Sequence, residues 1–339
     1  MATSIVTSVG LKSLPLVAEG KVREIYEASN DTLLLVASDR ISAYDVVLEN
    51  GVQDKGTVLT LLTNHWLNAV LPKHVPALKH HLVSLNIPRT LDLSPEQRKI
   101  LRGRSMVVRK YRVFPIEAIV RGYITGSSWS EYKQKGTVHG MSQPSGLEQC
   151  QAFPGGPIYT PSSKPLPSLS TSFIAQEATT DRTVIAKAPV GGKDENITPD
   201  HARQIVGDKY ADKIESLALA IYKAAHRYAL EKGIIVADTK FEFGLDEETD
   251  EVVLIDEVLL VLSPRPFGDA YGRMQLGHLT ARDSGQLQTM RQGAIRRALT
   301  AKASKGRKAF RAQTSAKYLE AFQRLTGESL DQALAKLEN

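Results

Sequence analysis

Residues 237–244 read "ADTKFEFG". Side chains of a strand alternate between its two faces. Thr239, Phe241 and Phe243 then share one face, and Asp238, Lys240 and Glu242 share the other. The aromatic face predicts burial against a core. The charged face runs minus, plus, minus. It is either an ordinary wetted surface or the floor of a site that needs a cation between two carboxylates, and the pattern alone leaves both open. The polar run "DEETDE" (246–251) and the apolar run "VVLIDEVLLVL" (252–262) follow, which predicts an antiparallel hairpin. Upstream, Ile214, Leu217, Ala218, Ile221, Ala225 and Tyr228 recur at helical spacing over 208–232, and Gly233 ends the helix.

Working outward, "KVREIYE" (21–27) and "TLLLVAS" (32–38) read as a hairpin turning at Asn30-Asp31. Leu59, Leu62, Trp66, Leu67 and Val70 have helical spacing. Ser94, Pro95 and Gln97 spell a capping box with proline at the first helical position. "SMVVRKYRV" (105–113) and "IEAIVRGYI" (116–124) read as strands. Residues 139–196 read as loop, Thr198-Pro199 opens a helix, and a helix pair is expected at 314–325 and 329–337. Strands followed by mixed helices and hairpins indicate an α+β fold in two lobes. The expected division is a β-rich part, 1–113, and an α/β part, 114–339, with the linker near 113–115.

The 339 residues are 42% hydrophobic and 24% charged, ordinary values for a folded chain. The lone Cys150 excludes an internal disulfide and fits a reducing compartment as a bystander. No stretch has the roughly 18 apolar residues of a spanning helix, and the N-terminus lacks a signal-peptide pattern. A soluble, cytoplasmic protein without a membrane partner is expected, and a monomer is favoured. The net charge of +6 is uneven: 284–319 contains no Asp or Glu but nine Lys and Arg. Such a block suits nucleic acid or a solvated segment. With few aromatics beside it no stacking platform is indicated, so nucleic-acid binding is disfavoured.

Neither a Walker loop nor a dinucleotide glycine fingerprint is present. Lys21 and Arg23, on one face of the first hairpin, suit a polyphosphate, although a plain basic edge strand has the same spacing. Glu242 and Asp256 fall on adjacent strands of the second hairpin. Two carboxylates about 5 Å apart at Cβ repel unless a cation lies between them, and Mg²⁺ with phosphate oxygens satisfies that need. A solvent-facing charged strand remains the alternative. Arg121, flanked by Gly122 and Gly126 and followed by Ser127 and Ser128, suits a phosphate monoester. The same serines suit a helix cap.

"GKVREIY", "ASDRISAYDVVLENGVQDKG", "IEAIVRGYITGSSWSEY", "GTVHG", "PIYTPSSK", "KDENIT", "GIIVADTKFEFGLD" and "LIDEVL" occur in this order. In these motifs the chain resembles the SAICAR synthetase (phosphoribosylaminoimidazole-succinocarboxamide synthase) family, in its single-activity eukaryotic form. The likeness covers about 10–164, 188–259 and 310–327. It implies a two-lobed fold related to ATP-grasp and kinase-like architectures, with ATP in the cleft between lobes. It further implies ATP- and Mg²⁺-dependent joining of L-aspartate to carboxyaminoimidazole ribotide through an acyl phosphate. By that resemblance Lys21, Arg23, Lys110 and Glu242 serve ATP. Glu117, Arg121, Ser127, Asp194, Glu195 and Arg265 serve the substrates, Lys240 and Asp238 the chemistry, and Glu242 with Asp256 the metal. The competing functions are a kinase-like phosphotransferase, or an impaired family member whose basic tail binds nucleic acid or a partner.

Two stretches depart from the family pattern. Residues 165–187 read as an inserted loop. Residues 260–309 replace a substrate-contacting run with "LVLSPRPF" and the basic block, which reads as an alternative or misread coding segment. Weak or absent activity of the chain as written, and mobility of 268–309, are the corresponding expectations.

Overall fold

The computed structural model describes residues 5–43, 46–47, 51–164, 195–259 and 304–337. The insertion at 165–187, Asp194 and Arg265 lie outside them, as does 268–303 of the segment expected to be mobile.

The chain begins with β1 (Leu16–Glu19), β2 (Arg23–Glu27) and β3 (Thr32–Ala37). A ribbon of β4 (Ser42–Ala43) and β5 (Val46–Val47) leads to α1 (Lys55–His65), a π-helical turn (Trp66–Val70) and α2 (Leu71–His74). Next come β6 (Lys79–His80), β7 (Leu82–Ser84), α3 (Pro95–Leu101) and β8 (Ser105–Arg109). Five of these strands form an antiparallel sheet in the order β1-β2-β3-β8-β7. The expected first hairpin is there, with Ile25 opposite Leu35, but its first strand starts at Arg23. Lys21 precedes it, in a bend where the Gly20 N–H donates to the Arg23 carbonyl at 2.8 Å. Lys21 and Arg23 therefore do not share a strand face. The predicted capping box is present: Ser94 accepts from the Gln97 N–H, and Gln97 accepts from the Ser94 N–H.

β9 (Arg112–Val113) and β10 (Ile116–Arg121) follow, then α4 (Gly126–Lys135) and the ribbon β11 (Thr137–Val138) and β12 (Met141–Ser142). The stretch expected as loop also contains β13 (Ile158–Tyr159), β14 (Ser162–Ser163) and β15 (Glu195–Asn196). These pieces are two residues long, too short for a hydrophobic period to register. α5 (Pro199–Val206), capped by Thr198, precedes α6 (Asp208–Glu231), β16 (Asp238–Asp246) and β17 (Glu251–Ile255). The second sheet runs β15-β14-β10-β16-β17-β6, with β13 also on β10 and β9 also on β16. β6 joins it in parallel from the N-terminal part of the chain.

α7 (Ser304–Thr326) and α8 (Leu330–Ala335) end the fold. The first of this predicted pair starts ten residues earlier than expected. Residues 304–309, expected within a mobile segment, are its first turns.

Phe241 and Phe243 are each 1% exposed, and Thr239 is buried beside them. They join Ile214, Ala218, Ile221 and Ala225 of α6, Trp66, Leu62 of α1, and Phe322 of α7 in one cluster. Burying each large side chain stabilises the fold by about 1.5–3 kcal/mol. The same cluster takes in Leu35, Met106 and Val108, so one core runs behind both sheets. The core fixes the phase of β16 and turns its charged face outward.

Candidate functional site

β10 and β16 pair antiparallel, with Arg121 opposite Asp238 and Ile119 opposite Lys240. Continuing this register brings Glu117 level with Glu242. Six outward positions thus form three rungs, and the charged ones interlock. Arg121 donates from Nη1 to Asp238 Oδ2 at 3.3 Å and from Nε to Thr160 Oγ1 at 3.1 Å. Lys240 Nζ crosses the diagonal to Glu117 Oε2 at 2.6 Å, and that oxygen also accepts from Ser162 Oγ at 3.0 Å. Lys164 Nζ donates to Glu242 Oε2 at 2.6 Å. Glu117 and Glu242, neighbours of like charge, are thereby each held by a lysine of their own. Arg121 and Glu117 are buried, whereas the Lys240 side chain is 58% exposed, so the network opens at Lys240.

A second charged cluster faces the end of β17. Glu242 stands opposite Ile255, not Asp256. Asp256 comes just after the strand, in the left-handed region with φ 67°, and its carboxylate accepts from Arg23 Nη1. Arg23 Nη2 donates to Glu257 Oε2 at 2.9 Å. The left-handed residue breaks the strand's alternation, so Asp256 and Glu257 both meet the guanidinium that rises from β2. Lys55, at the start of α1, is 6% exposed. Burial pushes its ammonium down from the usual lysine range, against the pull of Glu257 and Asp39.

The remaining expected residues are more dispersed. Lys110 pairs with Glu27 at 2.6 Å, at the far end of five-residue β2 from Arg23. That is a separation of about 13 Å along the strand. Ser127 is exposed in the first turn of α4; neither it nor Ser128 caps that helix, whose N-cap position is Thr125. Glu195 is exposed on β15, opposite Ser163 of β14. Cys150 takes a positive φ of 70° in a turn, and its N–H donates to the Ile124 carbonyl at 2.9 Å.

Thr160, Ser162 and Lys164 were not singled out from "PIYTPSSK" by residue chemistry. Their signal is the period-2 spacing of one extended face, in a run too short to stand out. His139 of "GTVHG" was also missed. It is 4% exposed, with φ 49°, in the turn between β11 and β12. Glu131 ties that turn down, accepting from the Thr137 hydroxyl at 2.8 Å and from the His139 and Gly140 N–H groups at 3.0 Å. Burial, then the Arg121 charge, pushes the His139 imidazole down from its usual range, so it is neutral at pH 7.

Glu242 and Asp256 offer carboxylate oxygens at the end of one hairpin, and each already sits against a cation, Lys164 or Arg23. Among the described residues no group of three or more Asp, Glu, His or Cys is placed to hold a metal. Two carboxylates suit Mg²⁺, which keeps waters and phosphate oxygens as its other ligands. They do not suit an all-protein cage.

The α+β fold turns buried Arg121, exposed Lys240 and their carboxylate partners onto one sheet face, with Arg23 of the first hairpin set against the end of β17. The chain belongs to the SAICAR synthetase family, whose model matches residues 16–267. The phosphoribosylaminoimidazole-succinocarboxamide synthase of Pichia angusta is 43% identical over 320 residues, covering 93% of this chain and 96% of its own. That of Saccharomyces cerevisiae is 41% identical over 327 residues, covering 93% and 95%. Among solved structures, the SAICAR synthase from Saccharomyces cerevisiae complexed with SAICAR superimposes with a TM-score of 0.70 at 38% identity. It covers 96% of this chain and 99% of its own. No described helix is long and apolar enough to cross a membrane.

Proposed function

We propose that this chain is the ATP-dependent ligase that joins L-aspartate to the carboxylate of carboxyaminoimidazole ribotide in purine biosynthesis, acting in the cytoplasm. The observation that carries the reading is the β10–β16 face. Within a family of this named activity, it concentrates the cations and carboxylates that an acid–amine condensation between anions requires.

A carboxylate is a poor acyl donor. Its oxygen attacks the γ-phosphorus of ATP, forming a C–O–P linkage and releasing ADP. The aspartate amine then attacks the acyl carbon, forming the C–N bond, expelling phosphate and losing a proton. The protein's work is to position anions and screen their charge. Arg121, held in plane by Asp238 and Thr160, presents a fork suited to the ribotide phosphate, with Ser127 as a further contact. Lys240, on its Glu117 tether, is the cation nearest the reacting carboxylate, and Asp238 and Glu117 fix the two cations in place. Arg23, Lys21 and Lys110 belong to the nucleotide side, and Glu195 borders the substrate side. Glu242 and Asp256 would hold Mg²⁺, which when bound neutralises the phosphate oxygens. A boundary near residue 113 between a nucleotide-covering part and a substrate part belongs to the same reading.

The test is succinocarboxamide formation by the purified full-length chain. ADP release that requires both aspartate and ribotide is expected. ADP release without aspartate favours the phosphotransferase, and salt-sensitive RNA binding without turnover favours the impaired member.

A further inference from the structure

Glu257 is the acid that the proposed mechanism does not use. Its side chain is 2% exposed, so its charge must be compensated inside the protein. Oε2 accepts from Arg23 Nη2 at 2.9 Å, while Oε1 has no hydrogen-bond partner among the described residues. Lys55 and Tyr318 lie within its field. On the other side of the guanidinium, Arg23 Nη1 is taken by Asp256, which is 25% exposed. Arg23 is thus shared between one accessible acid and one inaccessible acid, and it ties β2 of the first sheet to the end of β17 in the second.

These two acids are not equivalent. A cation arriving from solvent competes for the accessible Asp256. It does not reach Glu257 without opening the core. We propose that Glu257 is a positioning residue for Arg23: it retains the guanidinium when a metal–nucleotide takes Asp256, and so keeps this cation at the phosphates instead of releasing it to solvent. The inference rests on reading Asp256 as metal-facing and Arg23 as phosphate-facing. It adds that the second acid of "LIDEVL" holds the cation which the first must give up.

Calorimetric titration of the full-length chain with ADP, with and without Mg²⁺, tests it. Glu257→Gln keeps the shape and removes the charge. It should weaken MgADP binding tenfold or more and leave succinocarboxamide product affinity unchanged, and Glu257→Asp should restore part of the loss. In an Arg23→Ala background, Glu257→Gln should cause no further loss, since its effect passes through Arg23. A lowered melting temperature with wild-type MgADP affinity in Glu257→Gln, beside a weakened Arg23→Ala, overturns the inference alone. Wild-type affinity in Arg23→Ala overturns the reading of Arg23 itself, and the inference with it. If Glu257→Gln does not fold, Glu257→Asp carries the test: its weaker MgADP binding must vanish in the Arg23→Ala background.

Discussion

Two charged networks in this molecule use the same residue types in opposite ways. Asp39 is fully buried. One of its oxygens accepts from the Gly56 N–H and from Arg104 Nη1, both at 3.0 Å. The other accepts from the Val6 N–H at 2.8 Å and from Arg104 Nη2 at 3.4 Å. Both oxygens are occupied by the protein itself, and Arg104 is 4% exposed. On the β10–β16 face one end is wet: Lys240 meets Glu117 through one oxygen and is otherwise exposed. A saturated ion pair has nothing left to offer a ligand, and its role is to fix the chain. A network whose members keep spare donors and acceptors at an open edge can exchange internal partners for substrate. Saturation, more than charge, separates scaffold from site.

The largest expected effect falls on the closed network. Asp39→Ala strands Arg104 in the core, and removing one partner of a buried pair costs about 3–5 kcal/mol. Urea denaturation should show that loss in stability, while the rate per folded molecule changes little. A stable Asp39→Ala protein with impaired turnover would reverse the assignment of the two networks.

On the open side, Glu242→Gln and Asp256→Asn should each cut turnover by about 10²-fold or more, equivalent to about 2.7 kcal/mol of transition-state stabilisation. Their urea midpoints should stay near that of the parent chain, since Lys164 is 36% exposed and tolerates the loss of its partner, and Arg23 keeps Glu257 when Asp256 is neutralised. Near-normal turnover at low Mg²⁺ in both variants breaks the metal assignment.

This contrast also marks what the sequence disclosed. The face of β16 was legible because Thr239, Phe241 and Phe243 impose a period of two on a nine-residue strand. The capping box at Ser94 was legible because it depends on local spacing alone. What Asp256 touches was not legible. That depends on a positive φ at the strand's end and on Arg23 arriving from 233 residues away. Lys164 on Glu242 was hidden for the same reason: the pairing is made in the sheet and crosses 78 residues of chain. Local periodicity reports which face is charged, and tertiary register decides which charges are saturated. Asp39 sits inside the motif "ASDRISAYDVVLENGVQDKG" and, with Arg104, is closed scaffold.

Arg121→Ala tests the middle ground, a buried residue that belongs to the open network. Its loss should weaken ribotide binding by about 1.5–3 kcal/mol. Asp238 keeps partial exposure and is not stranded, so stability should fall less than in Asp39→Ala. An unchanged apparent constant for ribotide with a raised one for ATP would move Arg121 to the nucleotide side.

The smallest effect belongs to a second closed network, Glu24 with Tyr26, and it is read through pH. Glu24 is 2% exposed; its oxygens accept from the Val9 and Gly10 N–H groups at 3.0 Å and from the Tyr26 hydroxyl. Burial pushes the Glu24 carboxyl up, but these hydrogen bonds outweigh it and hold the group below its usual value. Burial, then the Glu24 hydrogen bond, pushes the Tyr26 phenol up to about 12. The two shifts act at opposite ends of the pH scale. The Tyr26 contribution is fully present below its unfolded value near 10 and is lost as pH rises through about 12. The Glu24 contribution is present above its unfolded value near 4.5 and is lost as pH falls through its lower folded value. Tyr26→Phe should therefore cost about 1 kcal/mol at pH 7. It should also flatten the decline in stability between pH 10 and 12, and shrink the acid-side decline below pH 4.5, because Glu24 has lost a donor and its folded value moves back toward the unfolded one. Urea denaturation across that range reads all three. Lys240→Ala, on the open network, should leave the curve's shape unchanged, and a matching change in both variants would show that saturation does not distinguish the networks.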